Sequence, residues 1–292
     1  MASRTISRRG KLIRPGILLL VTGHLGYRGH QDIFLAAAVE GIHLASLIHD
    51  DIIDRSTYRR GEKTALQKFG PDFSLLLGDF FFIRSIARSL SMKETEIPEM
   101  LAEAARMMIE GEIEELAESY NFNIGRRRYL KIIEKKTASL FQVTCQLACR
   151  LGRAGSAEAE ALEEYGLNLG LAFQVIDDLL DLVGQPAQTG KPLFSDLKEG
   201  RVTLPLILAL KKSDQAEHRK LTALLEAAKK KREEGVWPAL SALIQNTGAI
   251  QETFRQAASF TARARSAAGR LSPSIYRQSL LQLTDFVLWR EQ

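Results

Sequence analysis

From Ile33 to Val39 and on through Ile42, Leu44, Leu47 and Ile48 the chain is mostly apolar, and it then runs into His49-Asp50-Asp51-Ile52-Ile53-Asp54. The length of this run and the sparseness of its polar positions predict one helix over 33–54 whose C-terminal end carries three carboxylates. Aspartate is a poor residue for a helix interior, and an unpaired buried carboxylate is costly, so that end needs a positive partner. At about 100° per residue, Asp50 and Asp54 share one face, with His43 two turns further back on it and Asp51 alongside.

The same period predicts helices over 73–90, 97–120, 127–151 and 158–183, then an apolar helix beginning near Thr203 and a charged helical remainder over 212–292 with turn signals at Ser213, Gly235, Gly248 and Pro273. Glu110, Glu112, Glu114 and Glu115 read as a solvated face of the helix over 97–120, and Lys229 to Arg232 as another solvated face. The helix over 158–183 repeats the opening pattern, because Gln174, Asp177, Asp178 and Asp181 stand at i, i+3, i+4 and i+7 on one face. Strand-period alternation is nowhere sustained. The expectation is an all-α fold, a single domain over 1–292 in which a large helical bundle encloses a central cavity, with residues 1–9 flexible.

Composition narrows the field. A chain of 292 residues with 45% hydrophobic side chains can bury a large core. Its net charge of +5 is scattered among nearly as many acids, which favours small anionic ligands over nucleic acid. Cys145 and Cys149, four apart in an apolar segment, read as small core residues in a reducing cytoplasm. No stretch of about 18 consecutive apolar residues marks a transmembrane segment, and the expected location is cytoplasmic.

Two Asp-x-x-x-Asp faces on separate apolar helices have a joint reading. Carboxylate oxygens suit Mg²⁺, which takes one or two of them together with water and phosphate oxygens. Six carboxylates facing one another across a cavity can hold several ions with a diphosphate between them. Lys11, Arg14, Arg59, Arg60, Lys191 and Arg201 are too many cations for one diphosphate and suit two.

With these residues together, the chain resembles the trans-isoprenyl diphosphate synthase (polyprenyl synthetase) family, long-chain octaprenyl-type members included. The motifs that carry the likeness run in order from Gly10-Lys11-x-x-Arg14-Pro15 through Glu40-x-x-His43 and Asp50-Asp51-x-x-Asp54, Arg59-Arg60-Gly61, Gly78-Asp79 and Lys136-Thr137. They continue with Phe173-Gln174-x-x-Asp177-Asp178-x-x-Asp181, Gly190-Lys191-Pro192 and Gly200-Arg201-x-Thr203. The resemblance implies a Mg²⁺-dependent prenyltransferase, with three ions per site, that joins isopentenyl diphosphate to an allylic diphosphate such as farnesyl diphosphate. It implies Asp50, Asp54 and Asp177 as metal ligands, with Asp51, Asp178 and Asp181 ligating or just behind them. Arg59, Lys136, Lys191 and Arg201 would hold the allylic diphosphate, and Lys11, Arg14, His43 and Arg60 isopentenyl diphosphate. Thr137 and Gln174 would face the reacting carbons.

Short-chain relatives close the product channel with large aromatics four or five residues before the first acidic motif. Here Ala45 and Ser46 stand there, followed upstream by Gly41 and Ile42, so a product of hexaprenyl length or longer is expected, with Phe81, Phe82 or Ile86 as floors. The family also implies a homodimer, peripheral membrane contact for product release, and a helix or more ahead of the Gly10 motif that this sequence lacks. Arg9, Leu12 and Phe194 stand where the family more often has Gly, Arg and Gly. The alternatives are a farnesyl- or geranylgeranyl-forming enzyme and a subunit of a heteromeric synthase. A terpene cyclase would carry a different second motif.

Overall fold

A computed structural model describes residues 10–59, 61–92, 94, 96–184, 193–230 and 235–289. The helices are α1 (Ile13–His24), α2 (Gln31–Ile53), α3 (Ala65–Phe69), α4 (Pro71–Ser89), α5 (Glu96–Ala117), α6 (Arg126–Ile133), α7 (Ser139–Gly152) and α8 (Ser156–Val183). After these come α9 (Ser195–Lys198), α10 (Leu204–Lys212), α11 (Gln215–Lys229), α12 (Val236–Asn246), α13 (Ala249–Gly269) and α14 (Ile275–Trp289). A two-residue antiparallel ribbon, β1 (Tyr58–Arg59) with β2 (Glu62–Lys63), is the one sheet among the described residues. The all-α expectation holds, and residues 1–9, Arg60 and Lys191 lie outside the described residues.

The helix boundaries follow local chemistry. Pro71 and Pro205 sit in the first turns of α4 and α10, where a missing N–H costs nothing. Asp214 and Glu217 form a capping box at the start of α11. The central helix is α8, flanked by α7, α13 and α14. Its Tyr165 is fully buried and donates a hydrogen bond to the Leu280 carbonyl at 2.9 Å, which ties α8 to α14.

α2 packs along α4 and, with α8, walls a cavity. By composition α2 is long and apolar enough to cross a membrane, with a mean hydropathy of 1.4 over an 18-residue window. In the bundle, Leu35, Val39 and Ile42 are instead completely buried in the core.

The predicted helix over 127–151 is interrupted. Residues Glu134–Ala138 form a π-helical turn between α6 and α7, in which the Ser139 N–H bonds back five residues to Glu134. Such turns insert one residue into the helical ladder and re-aim the side chains around it. Here two glycines clamp the turn. A Cβ on Gly111 of α5 would lie 2.5 Å from the Lys136 nitrogen, and one on Gly170 of α8 would lie 2.6 Å from the Ala138 Cα. Since the nearest atoms are backbone and the others are Cβ atoms fixed to it, neither neighbour can yield. Gly111→Ala or Gly170→Ala is expected to cost ~1–3 kcal/mol of stability, the usual range for overpacking, in urea unfolding followed by circular dichroism. The same change at Gly125, where a Cβ meets nothing within 4 Å, is the control.

Candidate active site

The π-helical turn delivers Lys136 and Thr137 into a cavity of about 1460 Å³. One end of the cavity is polar, lined by Asp50, Asp51 and Asp54 from α2, Arg59 from β1, Glu112 from α5, Gln174, Asp177 and Asp181 from α8, and Asp196 and Arg201 beyond α8. Lys11, Arg14 and His43 line it as well. The two acidic motifs, distant in sequence, therefore border one space.

Lys136 is the electrostatic centre of that end. Its ammonium lies 2.5 Å from both Glu112 and Glu115. Burial works against its charge, yet Glu115, Asp50 and Glu112 hold its pKa above the ordinary lysine value. Burial likewise works against Glu115, but Lys136 and Arg201 keep it ionised below the usual range. Arg201 reaches Asp54, Glu115 at 3.2 Å, Asp196 at 3.2 Å and Glu199 at 2.7 Å. Arg59 donates to Asp51 at 2.8 Å.

Charge is left over. Burial raises the pKa of Asp50 despite Lys136, Arg59 and Arg201, and it raises that of Glu112 despite Lys136. The Glu112 Oε1 is buried without a hydrogen-bond partner. Crowded carboxylates of this kind fit a hard divalent cation, whose charge offsets their desolvation and whose preferred donors are oxygens. The six motif aspartates are not a preassembled cage, however, because among the described residues no three acidic, histidine or cysteine groups converge closely enough to hold an ion unaided.

Several sequence expectations need correction. Asp178 does not share the cavity face of α8. It is 3% exposed, absent from the cavity wall, and accepts hydrogen bonds from Tyr129 and, at 2.7 Å, from Gln174. The four-residue stripe spans about 100° of arc, wide enough for its edge to turn behind the helix. Asp181 borders the cavity, but its carboxylate accepts the backbone N–H of Ser195 at 3.0 Å and of Asp196 at 3.3 Å, so it caps α9. Ala45 and Ile42 have no exposure and do not line the cavity, whereas Ser46, Gly41, Phe81 and Phe82 do. Ile86 packs against the core and is also absent from the wall, where Phe34, Ser85 and Arg88 stand instead.

Glu112 and Glu115 do not lie on a solvated face with Glu110 and Glu114 but turn inward to Lys136. They continue the buried stripe Leu101, Ala104, Met108 and Gly111 of α5 at helical spacing, and that register was the available signal. Only Glu110 and Glu114 face outward, where they pair with Lys135 at 3.1 and 2.7 Å. The C-terminal segment also contributes, since Phe286 of α14 lies 5.2 Å from the Lys11 ammonium. Arg14 is buried, its guanidinium 4.3 Å from the Phe141 ring.

An all-α bundle with two acidic helices beside one large, partly apolar cavity has the architecture of an isoprenyl synthase. Solved structures agree. A decaprenyl diphosphate synthase from Rhodobacter capsulatus superposes with a TM-score of 0.92 at 34% identity, covering 100% of this chain and 89% of that one. A polyprenyl synthase from Caulobacter crescentus CB15, in complex with calcium and isoprenyl diphosphate, gives 0.91 at 37% identity, covering 100% and 88%. The octaprenyl diphosphate synthase of Escherichia coli (strain K12) is 34% identical over 288 residues, 98% of this chain and 88% of its own length. The polyprenyl synthetase family model matches residues 1–243. The chain belongs to the polyprenyl synthetase family, and it is a trans-prenyltransferase.

Because the folded state raises the Asp50 pKa, the stability linked to this group is full below its unfolded pKa and is lost as pH rises through the folded value. At neutral pH, without metal, Asp50→Asn is therefore expected to raise the thermal midpoint, by ~2–4 °C per kcal/mol relieved, while abolishing turnover. Differential scanning calorimetry at pH 7.5 with a chelator present, paired with an activity assay, checks both halves.

Proposed function

We propose that the protein condenses isopentenyl diphosphate with an allylic diphosphate such as farnesyl diphosphate, head-to-tail and in trans, to give a long-chain all-trans polyprenyl diphosphate, in a Mg²⁺-dependent reaction. The observation that carries this reading is the form of the cavity. Its charged end is continuous with an apolar extension along α2, where Ala37, Ala38, Gly41 and Ser46 leave room and Phe34, Phe81, Phe82 and Arg88 border the space further along.

In this reading Asp50, Asp54 and Asp177 would hold Mg²⁺, which supplies charge to stabilise the departing diphosphate. Lys136, Arg59 and Arg201 would share that task from the protein side by turning toward the diphosphate oxygens as carboxylates now paired with them turn to the ions. Lys191 and Arg60 keep their proposed roles in diphosphate binding from the motifs alone. Lys11, Arg14 and His43 would orient isopentenyl diphosphate so that its double bond lies within bonding reach of the allylic carbon. The apolar wall keeps water from the cationic carbon, and Thr137 and Gln174 present polar oxygens beside it. The proton lost from the new chain goes to the released diphosphate.

Incubating purified protein with Mg²⁺, farnesyl diphosphate and isopentenyl diphosphate tests the assignment. Elongation to six or more units is expected, a short product would revise the chain length, and inactivity until another subunit is added would place the chain in a heteromeric synthase. Removal of Mg²⁺ with EDTA should abolish turnover. Ser46→Phe is expected to shorten the product by at least one isoprene unit in thin-layer or mass-spectrometric analysis, while Ala45→Phe, directed into packed core, should chiefly destabilise.

The quaternary reading is a homodimer. α4 exposes Leu76 and Ile83 at 67% and 66%, with Phe80 exposed on the same side of the helix, apolar surface of the kind that a second chain covers. Ile83→Glu is expected to move the protein from dimer to monomer in sedimentation velocity. Co-flotation with lipid vesicles tests peripheral membrane contact for product release. A cytoplasmic location is supported by Cys145 and Cys149, both free and buried.

A further inference from the structure

Behind the cavity wall runs a chain of four side chains from three segments. Tyr129 of α6 donates its hydroxyl proton to the Asp178 Oδ2. The other Asp178 oxygen accepts from the Gln174 Nε2 at 2.7 Å, and the Gln174 Oε1 accepts from the Thr137 hydroxyl at 2.7 Å. Tyr129 and Asp178 are 4% and 3% exposed and do not line the cavity, whereas Gln174 and Thr137 do. The first pair therefore acts only through the second.

Each link has a direction. Tyr129 has one proton to give, and both Asp178 oxygens are used as acceptors. An amide that commits its nitrogen to Asp178 must turn its oxygen the other way, toward Thr137. The Thr137 hydroxyl then spends its only proton on Gln174, and what it leaves for the cavity is lone-pair density. If the amide were reversed, Thr137 would accept from Gln174 and its proton would be free to point into the cavity. Toward a carbon developing positive charge, these two arrangements have opposite electrostatic sign.

We propose that Asp178 and Tyr129 are positioning residues for the condensation, fixing the Gln174 amide so that Thr137 presents oxygen lone pairs, and not its proton, to the reacting carbons. The inference rests on the proposed placement of Thr137 beside those carbons. It assigns the middle aspartate of the second acidic motif a role distinct from metal ligation. It also explains why Asp178 is satisfied by hydrogen-bond donors at the back of α8 while Asp177 is the exposed member of the pair.

A reversal-and-rescue experiment tests it. Asn at 178 keeps the shape but replaces one acceptor with a donor. With Tyr129 still giving its proton, the asparagine oxygen must face Tyr129 and its nitrogen must face Gln174, which reverses the amide and frees the Thr137 proton. Asp178→Asn is expected to lower kcat by about 100-fold or more, with KM for both diphosphates within about threefold, on the scale of losing one oriented dipole at a reacting centre. Tyr129→Phe added to Asp178→Asn removes the donor that held the asparagine oxygen, lets that oxygen turn back to accept from Gln174 in the original direction, and should recover kcat by about tenfold. A merely structural role predicts that the double variant is the worse of the two.

A double variant no faster than Asp178→Asn, or a loss carried by KM, overturns the inference. Thr137→Val and Thr137→Ser separate it from the reading beneath it. If Val lowers kcat and Ser keeps it, but the rescue fails, only the positioning role falls. If Val leaves kcat unchanged, Thr137 is not beside the reacting carbons and both fall. Should Asp178→Asn not fold, Gln174→Leu breaks the same chain one link nearer to Thr137, and an unchanged kcat there overturns the proposal.

Discussion

A single ammonium group in a crowd of carboxylates sets the character of the cavity. Lys136 reaches Glu112, Glu115 and the field of Asp50 on one side of its turn, while Lys135 next to it pairs with Glu110 and Glu114 on the other. Both lysines stand in the π-helical turn, and the turn depends on backbone approach at Gly111 and Gly170. The chemistry at the acidic end thus depends on the absence of two methyl groups.

The balance at that end is deliberately incomplete. Arg201 and Arg59 answer Asp54 and Asp51, and Lys136 answers Glu115, but Asp50 and Glu112 remain poorly compensated. Removing charge from water is costly in proportion to how little the surroundings return. Part of that cost is recovered only when cations enter with an anionic substrate, so folded-state stability is traded for affinity at the place where the reaction needs positive charge. The same cavity changes character along α2, where small residues and aromatic rings predominate beside a few polar groups such as Ser85 and Arg88, so a hydrocarbon chain would meet mostly apolar surface.

Much of this was legible in the chain. The apolar period announced α2 and α8, and the aspartates at their ends stood out because acids there are expensive. What remained hidden depended on angles finer than a helical stripe resolves. Asp178 lies only 40° from Gln174 on the helical wheel, yet it belongs to the back of α8. Ala45 and Ser46 are adjacent, yet one is sealed in the core and the other borders the cavity. Glu112 and Glu114 belong to opposite environments within one acidic run, and only the neighbouring Met108 and Gly111 distinguish them. The π-helical turn leaves no mark in hydrophobic periodicity, since its five residues are too few to shift a pattern.

The cap that Asp181 forms on α9 changes what a mutation there can mean. Asp181 holds Ser195 and Asp196 in place, and Asp196 in turn contacts Arg201, which grips Asp54 of the opposite motif. Three aspartates that read as equivalents in one motif therefore do unlike jobs: Asp177 faces the cavity, Asp178 anchors a hydrogen-bond chain, and Asp181 starts a helix. Alanine at each could silence the protein to the same degree for three unrelated reasons, so equal losses across the motif would be no measure of how many of its members touch an ion.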